Sequence, residues 1–241
     1  MKLLFADESG DSKFKAYLGV CVACVDSSHY RSIKTGFHSL LSSYGWDPSI
    51  EFKGAYLFSA NSGDTSITVD RRIQLASEVL DLCSAKKNSR ISFYYLHSSA
   101  VEDHKSAYLK AIGMGLHKAL TKARGNRKRD KTVAALHIDN RADITRNEVQ
   151  AVARPVLEEL NYTLLEDVQL IESNYETVGV LLADIVAYLA ARIATISTDS
   201  ELFENLTNEQ LETHGKARKL RTSTKLIDKV KKIIWHDIPA A

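Results

Sequence analysis

From residue 90 onward, runs of β-branched and aromatic residues take turns with long helical stretches, and this alternation narrows the fold more than any other feature of the chain. "RISFYYLH" (90–97), "TVAALHID" (132–139) and "LLEDVQLIES" (164–173) read as strands. "VEDHKSAYLKAIGMGLHKALTKA", "NEVQAVARPVLEEL" and "VGVLLADIVAYLAARIAT" read as helices. Strand-helix-strand succession within one sheet implies right-handed crossovers and parallel pairing. Before residue 90, "LLFAD" (3–7) and "AYLGVCVACV" (16–25) are two further strands, with room to pair antiparallel. Helical stretches over about 29–44 and 70–84 follow, the second with Asp70 placed as its N-cap. The expected architecture is a mixed α/β sheet flanked by helices, with a helical insertion after the second strand and a basic helical C-terminal extension over about 197–241.

The 241 residues carry 11 Gly and 3 Pro, with no Ser- or Gln-rich tract and no internal repeat, so a single domain is expected. A 44% hydrophobic share is enough for a substantial core. The amino terminus starts as a strand and has neither the basic nor the apolar region of a signal peptide, which points to a cytoplasmic protein. Cys21, Cys24 and Cys83 are odd in number and fit reduced, buried thiols. Cys21 and Cys24 have the CxxC spacing of a metal or redox pair, but in a strand residues three apart face opposite ways.

Neither a P-loop nor a complete GxGxxG is present, and "GMG" (113–115) lies in a helical pattern, so nucleotide binding through such loops is not expected. The formal net charge is +2, but the cations are clustered. "KARGNRKRDK" (122–131) holds Lys122, Arg124, Arg127, Lys128, Arg129 and Lys131, and residues 216–232 hold eight Lys or Arg against Asp228 alone. Such segments are either phosphate-backbone contacts or solvated basic faces.

Two strands predicted to run parallel close on an acid: "LLFAD" at Asp7 and "VAALHID" at Asp139. Open α/β sheets place their sites beyond the carboxyl ends of their strands, so neighbouring strands would deliver both carboxylates to one edge; each can equally be a turn or cap residue. Asp184 is the one charge in "VGVLLADIVAYLA", a helix apolar all round and therefore buried. A buried carboxylate needs a metal, strong donors or an ion-pair partner such as Arg192. A membrane span is the remaining reading, against which Asp184 and Arg192 interrupt the apolar run. Together Asp7, Asp139 and Asp184 make an oxygen-rich set suited to Mg²⁺ or Mn²⁺, and two such ions can clamp both oxygens of a phosphodiester displacement. Glu8 is either a further ligand or a solvent-facing acid. Glu51 and Lys53 in "IEFKGAYLF" share one face of an extended segment, either as an ordinary ion pair or with Lys53 offsetting charge that develops on a phosphate. His97 and His137 lack zinc spacing and are expected to pack.

"LLFADESGDS", "EFKG", "HIDN" and "LLADIVAY", in this order and over roughly residues 2–195, resemble the domain of unknown function 3800 family (DUF3800). The resemblance implies a ribonuclease H-like fold, metal-dependent nuclease activity, and a setting in phage defence or mobile elements. It implies catalytic roles for Asp7, Glu8, Glu51, Lys53, Asp139 and Asp184. Where the family often carries Gln before its helix Asp, this chain has Leu181, which removes a polar contact near the site.

The leading expectation is a Mg²⁺- or Mn²⁺-dependent nuclease acting on DNA or RNA, with no membrane partner and room for a protein partner or a homo-oligomer. The alternatives are a non-catalytic nucleic-acid- or partner-binding module, a haloacid dehalogenase-like phosphatase, in which Ser9 stands where the second acid belongs, and a restriction-type nuclease built on "EFK".

Overall fold

The computed structural model describes residues 1–10, 17–59, 61–84, 91–99, 103–124, 132–203, 226, 229–230 and 234–237, with backbone alone at 10, 17, 98–99, 124, 192–203 and 234–237. Strands β1 (Lys2–Gly10), β2 (Tyr17–Asp26) and β3 (Ile91–Ser99) form an antiparallel meander. Strand β4 (Thr132–Asp139) lies parallel to β1 on its other side, and β5 (Tyr162–Leu164) and β6 (Gln169–Ile171) both run parallel to β4. At the far edge β7 (Ile234–Asp237) pairs parallel with β3.

Period-2 alternation divides the strands between two cores. Leu4, Ala6, Val20, Val22, Leu136 and Ile138 face helices α3 (His104–Arg124) and α4 (Arg146–Glu159). Phe5, Cys21, Ala23, Phe93 and Tyr95 face α1 (Ser27–Tyr44), α2 (Val69–Ser84) and α5 (Val178–Phe203). Cys21 and Cys24 therefore lie on opposite faces, and all three thiols are free and buried. Side chains satisfy first-turn N–H groups of α3 and α4. Thr145 and Glu148 form a reciprocal capping box on α4, and Asp103 Oδ1 accepts from the Ser106 N–H ahead of α3.

Four local expectations are corrected. Helix α2 begins at Val69, so Asp70 sits in its first turn; the Thr68 hydroxyl is the group that accepts from the Arg71 N–H, at 3.4 Å. "LLEDVQLIES" is not one strand. β4 pairs Ala134 with Leu164 and His137 with Gln169, so five residues of one chain span three of the other and the ladder breaks into β5 and β6. β1 continues past Asp7 to Gly10 because its hairpin partner β2 supplies hydrogen bonds there, although its pairing with β4 stops at Ala6. The C-terminal region is not wholly helical, since β7 adds a strand to the sheet, while Leu226 and Val230 join the α5-side core. Among the described residues no helix is long and apolar enough to cross a membrane.

Candidate active site

The parallel register of β1 and β4 pairs Phe5 with His137 and Ala6 with Ile138, so Asp7 and Asp139 occupy the next row on adjacent strands roughly 4.8 Å apart. The row before them is closed by ring stacking of Phe5 on His137, with centroids 5.3 Å apart. Both acids follow these rings onto the α5 face. Asp7 is 6% exposed.

Helix α5 brings the third carboxylate. Gly179 packs on Phe5 so closely that a Cβ there would lie 2.4 Å from the ring, and this absence of a side chain lets the helix settle on β1. Five residues of helix advance about 7.5 Å and two residues of strand about 6.7 Å, which brings Asp184 level with Asp7. Around Asp184 the helix is buried from Val178 to Ala191, broken only by Asp184 and Tyr188, which are half-buried. Leu181 is fully buried in this core, so an apolar contact stands where a Gln would need polar partners.

The "EFKG" segment lies against the same helix. Phe52 is buried against Phe37 and Trp46, which turns Glu51 and Lys53 together to the other side, where they pair at 3.0 Å. Gly54 then meets α5: a Cβ on it would lie 2.5 Å from the Tyr188 Cβ. That approach lets the Gly54 N–H donate to Asp184 Oδ2 at 2.6 Å. Sequence reading left Asp184 as a metal ligand, a donor-held carboxylate, half of an ion pair or part of a membrane span; the structure supplies a strong donor in the Gly54 N–H, with the Lys53 charge nearby. The Arg192 side chain lies outside the described residues.

Glu8 points to the opposite face, toward α3. Its Oε1 accepts from Arg141 Nη1 at 3.1 Å, and the Arg141 guanidinium lies 4.6 Å from the centroid of the Tyr108 ring. Among the described residues Glu8 Oε2 and the Tyr108 hydroxyl are buried without a hydrogen-bond partner. Ser173 was not legible as a site residue; its hydroxyl donates to Asp139 Oδ1 at 2.6 Å. The pairing of β6 with the end of β4 brings it there. Arg141 and Tyr108 likewise carried no sequence signal.

Electrostatics tie these groups together. Burial pushes the Asp7 carboxyl well above the usual carboxylate range, and the charges of Asp184, Glu8 and Asp139 push it further, against one opposing hydrogen bond from the Glu8 N–H. Burial raises Asp184 too, opposed by the Gly54 N–H and Lys53 and reinforced by Glu51 and Asp139. Glu8 is pushed up to about 7 by burial, with Arg141 resisting. Burial acts to lower the Lys53 ammonium, but Glu51, Asp184 and Asp139 outweigh it and its pKa rises. Five acids and one lysine from β1, β4, α5 and the "EFKG" segment thus act on one another at one end of the sheet. Among the described residues no three His, Cys, Asp or Glu side chains are already arranged around a metal position. Ser173, Gly54 and Arg141 each hold one oxygen of Asp139, Asp184 and Glu8. The donor set nevertheless suits a hard divalent cation: carboxylate oxygens throughout, strong mutual repulsion, and a buried unpaired oxygen on Glu8.

Lys122 is exposed in the last turn of α3, fourteen residues and roughly 21 Å of helix beyond Tyr108, so it does not join the carboxylates. The Arg124 side chain, Arg127, Lys128 and Arg129 lie outside the described residues, as does most of 216–232. His97 pairs its Nδ1 with the Tyr95 hydroxyl at 3.1 Å, and His137 stacks on Phe5, so both are packing residues. A groove between α4 and β5, lined by Gln150, Arg154 and Asp167, adjoins the first half of β4 and contains none of the carboxylates described above.

No family model matches the sequence, and no curated protein matches it. Solved structures do. The chain is similar to a ribonuclease H2 from Pyrococcus horikoshii OT3 at 16% identity, over 96% of this chain and 100% of that one, with a TM-score of 0.42. It is similar to Bst-RNase HIII solved in complex with Mn²⁺ at 13% identity, over 97% of this chain and 69% of that one, with a TM-score of 0.43. A third similarity is to RNase HII from Archaeoglobus fulgidus, solved with PCNA, at 12% identity over 100% and 96% of the two chains, with a TM-score of 0.43. The fold itself is a mixed sheet with an antiparallel β1–β2–β3 meander and parallel β4 and β5 beyond β1, flanked by helices.

Proposed function

We propose that the protein is a divalent-metal-dependent nuclease that hydrolyses phosphodiester bonds of nucleic acid, in keeping with its resemblance to the DUF3800 family. The observation that carries this reading is Asp7: a 6% exposed carboxyl on a central strand, opposed by the charges of Asp184, Glu8 and Asp139. A purely structural core has no use for four acids from three elements gathered against their mutual repulsion. Asp7, Asp139 and Asp184 would hold Mg²⁺ or Mn²⁺, with Glu8 beside them. When bound, the cation supplies Lewis-acid stabilisation of charge on a phosphodiester. Ser173 and the Gly54 N–H orient Asp139 and Asp184, and Lys53 places a positive charge on the same side to offset negative charge developing on the phosphate.

The basic segment that starts at Lys122 belongs to the same reading. The test is Mn²⁺ titration followed by cleavage of labelled DNA and RNA, with Asp139→Asn as control. Metal binding and cleavage lost together in the variant support the reading; a wild-type protein that binds no Mn²⁺ ends it.

A second reading, a nucleic-acid-binding module without turnover, draws on the internal partners that Asp139, Asp184 and Glu8 already have. Binding of nucleic acid without cleavage under saturating Mn²⁺ or Mg²⁺ distinguishes it. A haloacid dehalogenase-like core is disfavoured, because the antiparallel β1–β2 pairing breaks the doubly wound parallel sheet that such a core needs.

A further inference from the structure

On the sheet face away from α5, Glu8 sits in a small polar corner bounded by α3 and by the turn after β4. Arg141 spans it. Its Nε and Nη2 donate to the two oxygens of Asp143 at 3.0 and 2.9 Å, its Nη1 donates to Glu8 Oε1 at 3.1 Å, and its plane lies over the Tyr108 ring. The fork on Asp143 and the stack on Tyr108 fix the guanidinium from two directions, so Glu8 Oε1 is offered a donor in a set position. Among the described residues two oxygens here have no partner: the hydroxyl of fully buried Tyr108 and Glu8 Oε2, a lone donor and a lone acceptor that both belong to side chains touching Arg141. A phenylalanine would fill the Tyr108 site without stranding a hydroxyl, so the hydroxyl is kept at a cost to the fold.

We propose that Arg141 and Tyr108 are positioning residues of the carboxylate site, acting through Glu8: Arg141 holds one oxygen, and the Tyr108 hydroxyl is the donor for the other when Glu8 takes part in holding the cation. The inference rests on the metal-site reading above. It adds a second wall to the site, on the face of the sheet that Asp184 does not reach.

Mn²⁺ titration by calorimetry and thermal melts of the metal-free protein test it together, on wild type, Tyr108→Phe, Arg141→Met, Arg141→Lys and Glu8→Gln. Tyr108→Phe is expected to raise the melting temperature while weakening Mn²⁺ binding by about tenfold or more, as loss of an orienting partner does. Arg141→Met is expected to weaken binding as Glu8→Gln does, Arg141→Lys to recover part of it, and Arg141→Met combined with Glu8→Gln to be no worse than Glu8→Gln alone. A merely structural role would move the melting temperatures and leave Mn²⁺ affinity at the wild-type value, and that result overturns the proposal while the metal site stands. A wild-type protein that binds no Mn²⁺ overturns the metal-site reading and this inference with it.

Discussion

The Gly54 N–H donates to Asp184 Oδ2 at 2.6 Å, joining the "EFKG" segment to a helix that lies 130 residues further along the chain. The bond carries Lys53 to the carboxylate end of the sheet, and it exists because Gly54 has no side chain to strike Tyr188. Both partners of this hydrogen bond can be tested separately.

Gly54→Ala puts a Cβ 2.5 Å from the Tyr188 Cβ, an overlap that the segment relieves only by lifting off α5. Overpacking of this kind costs about 1–3 kcal/mol. Urea denaturation should show that loss. Mn²⁺ affinity should fall as well, because Asp184 loses its donor; a variant with wild-type stability would mean the segment moves freely.

Asp184→Asn keeps an oxygen for the Gly54 N–H and removes one of the charges that act on Asp7. The metal-free melting temperature should stay level or rise, while Mn²⁺ binding and cleavage are lost. Were Asp184 half of an essential buried ion pair, the same change would strand a cation and cost about 3–5 kcal/mol. A melt beside a metal titration decides between them.

The metal-free protein should lose stability between pH 5 and 8 through its acid cluster. Asp7, Glu8 and Asp184 all hold their protons more tightly folded than unfolded. Their contribution is therefore complete below about pH 4, the unfolded carboxylate range, and is lost as pH rises through the folded values, which for Glu8 is about 7. Half-buried His97 and His137, both lowered by desolvation, act in the opposite sense, so the measurement is the difference between wild type and Asp7→Asn. That difference should move steadily in favour of the variant from pH 5 to pH 8, and saturating Mn²⁺ should abolish the trend. A pH-independent difference would show that Asp7 does not titrate against its neighbours.

Lys128→Glu with Arg129→Glu should weaken nucleic-acid binding and flatten its salt dependence, since a phosphate that these cations no longer neutralise keeps its counterions. Mn²⁺ affinity should not change, because Lys122, where this segment begins, is roughly 21 Å along α3 from Tyr108. Unchanged affinity for nucleic acid at low salt would reduce the segment to a solvated loop.

Local periodicity was enough to place most elements of this chain, because a period of 2 or 3.6 is set by neighbours in sequence. β1 to β4 and the five long helices fall where the apolar pattern puts them, and an apolar helix with a single Asp already marked Asp184 as a residue that needs a partner. The identities of Asp7, Glu8, Asp139 and the Glu51–Lys53 pair were legible for the same reason. What the pattern could not carry was register. Sliding β1 by one residue against β4 would turn Glu8 to α5 and Asp7 to α3, and only the stacking of α5 on Phe5 through Gly179, with the rest of the two cores, selects the observed row. The same long-range packing broke "LLEDVQLIES" into two short strands and carried Ser173 to Asp139. It also brought Arg141 and Tyr108 to Glu8. Residue type and spacing are properties of the chain, but which carboxylates face one another is decided by which strands and helices bury one another's apolar faces, and that is a property of the folded whole.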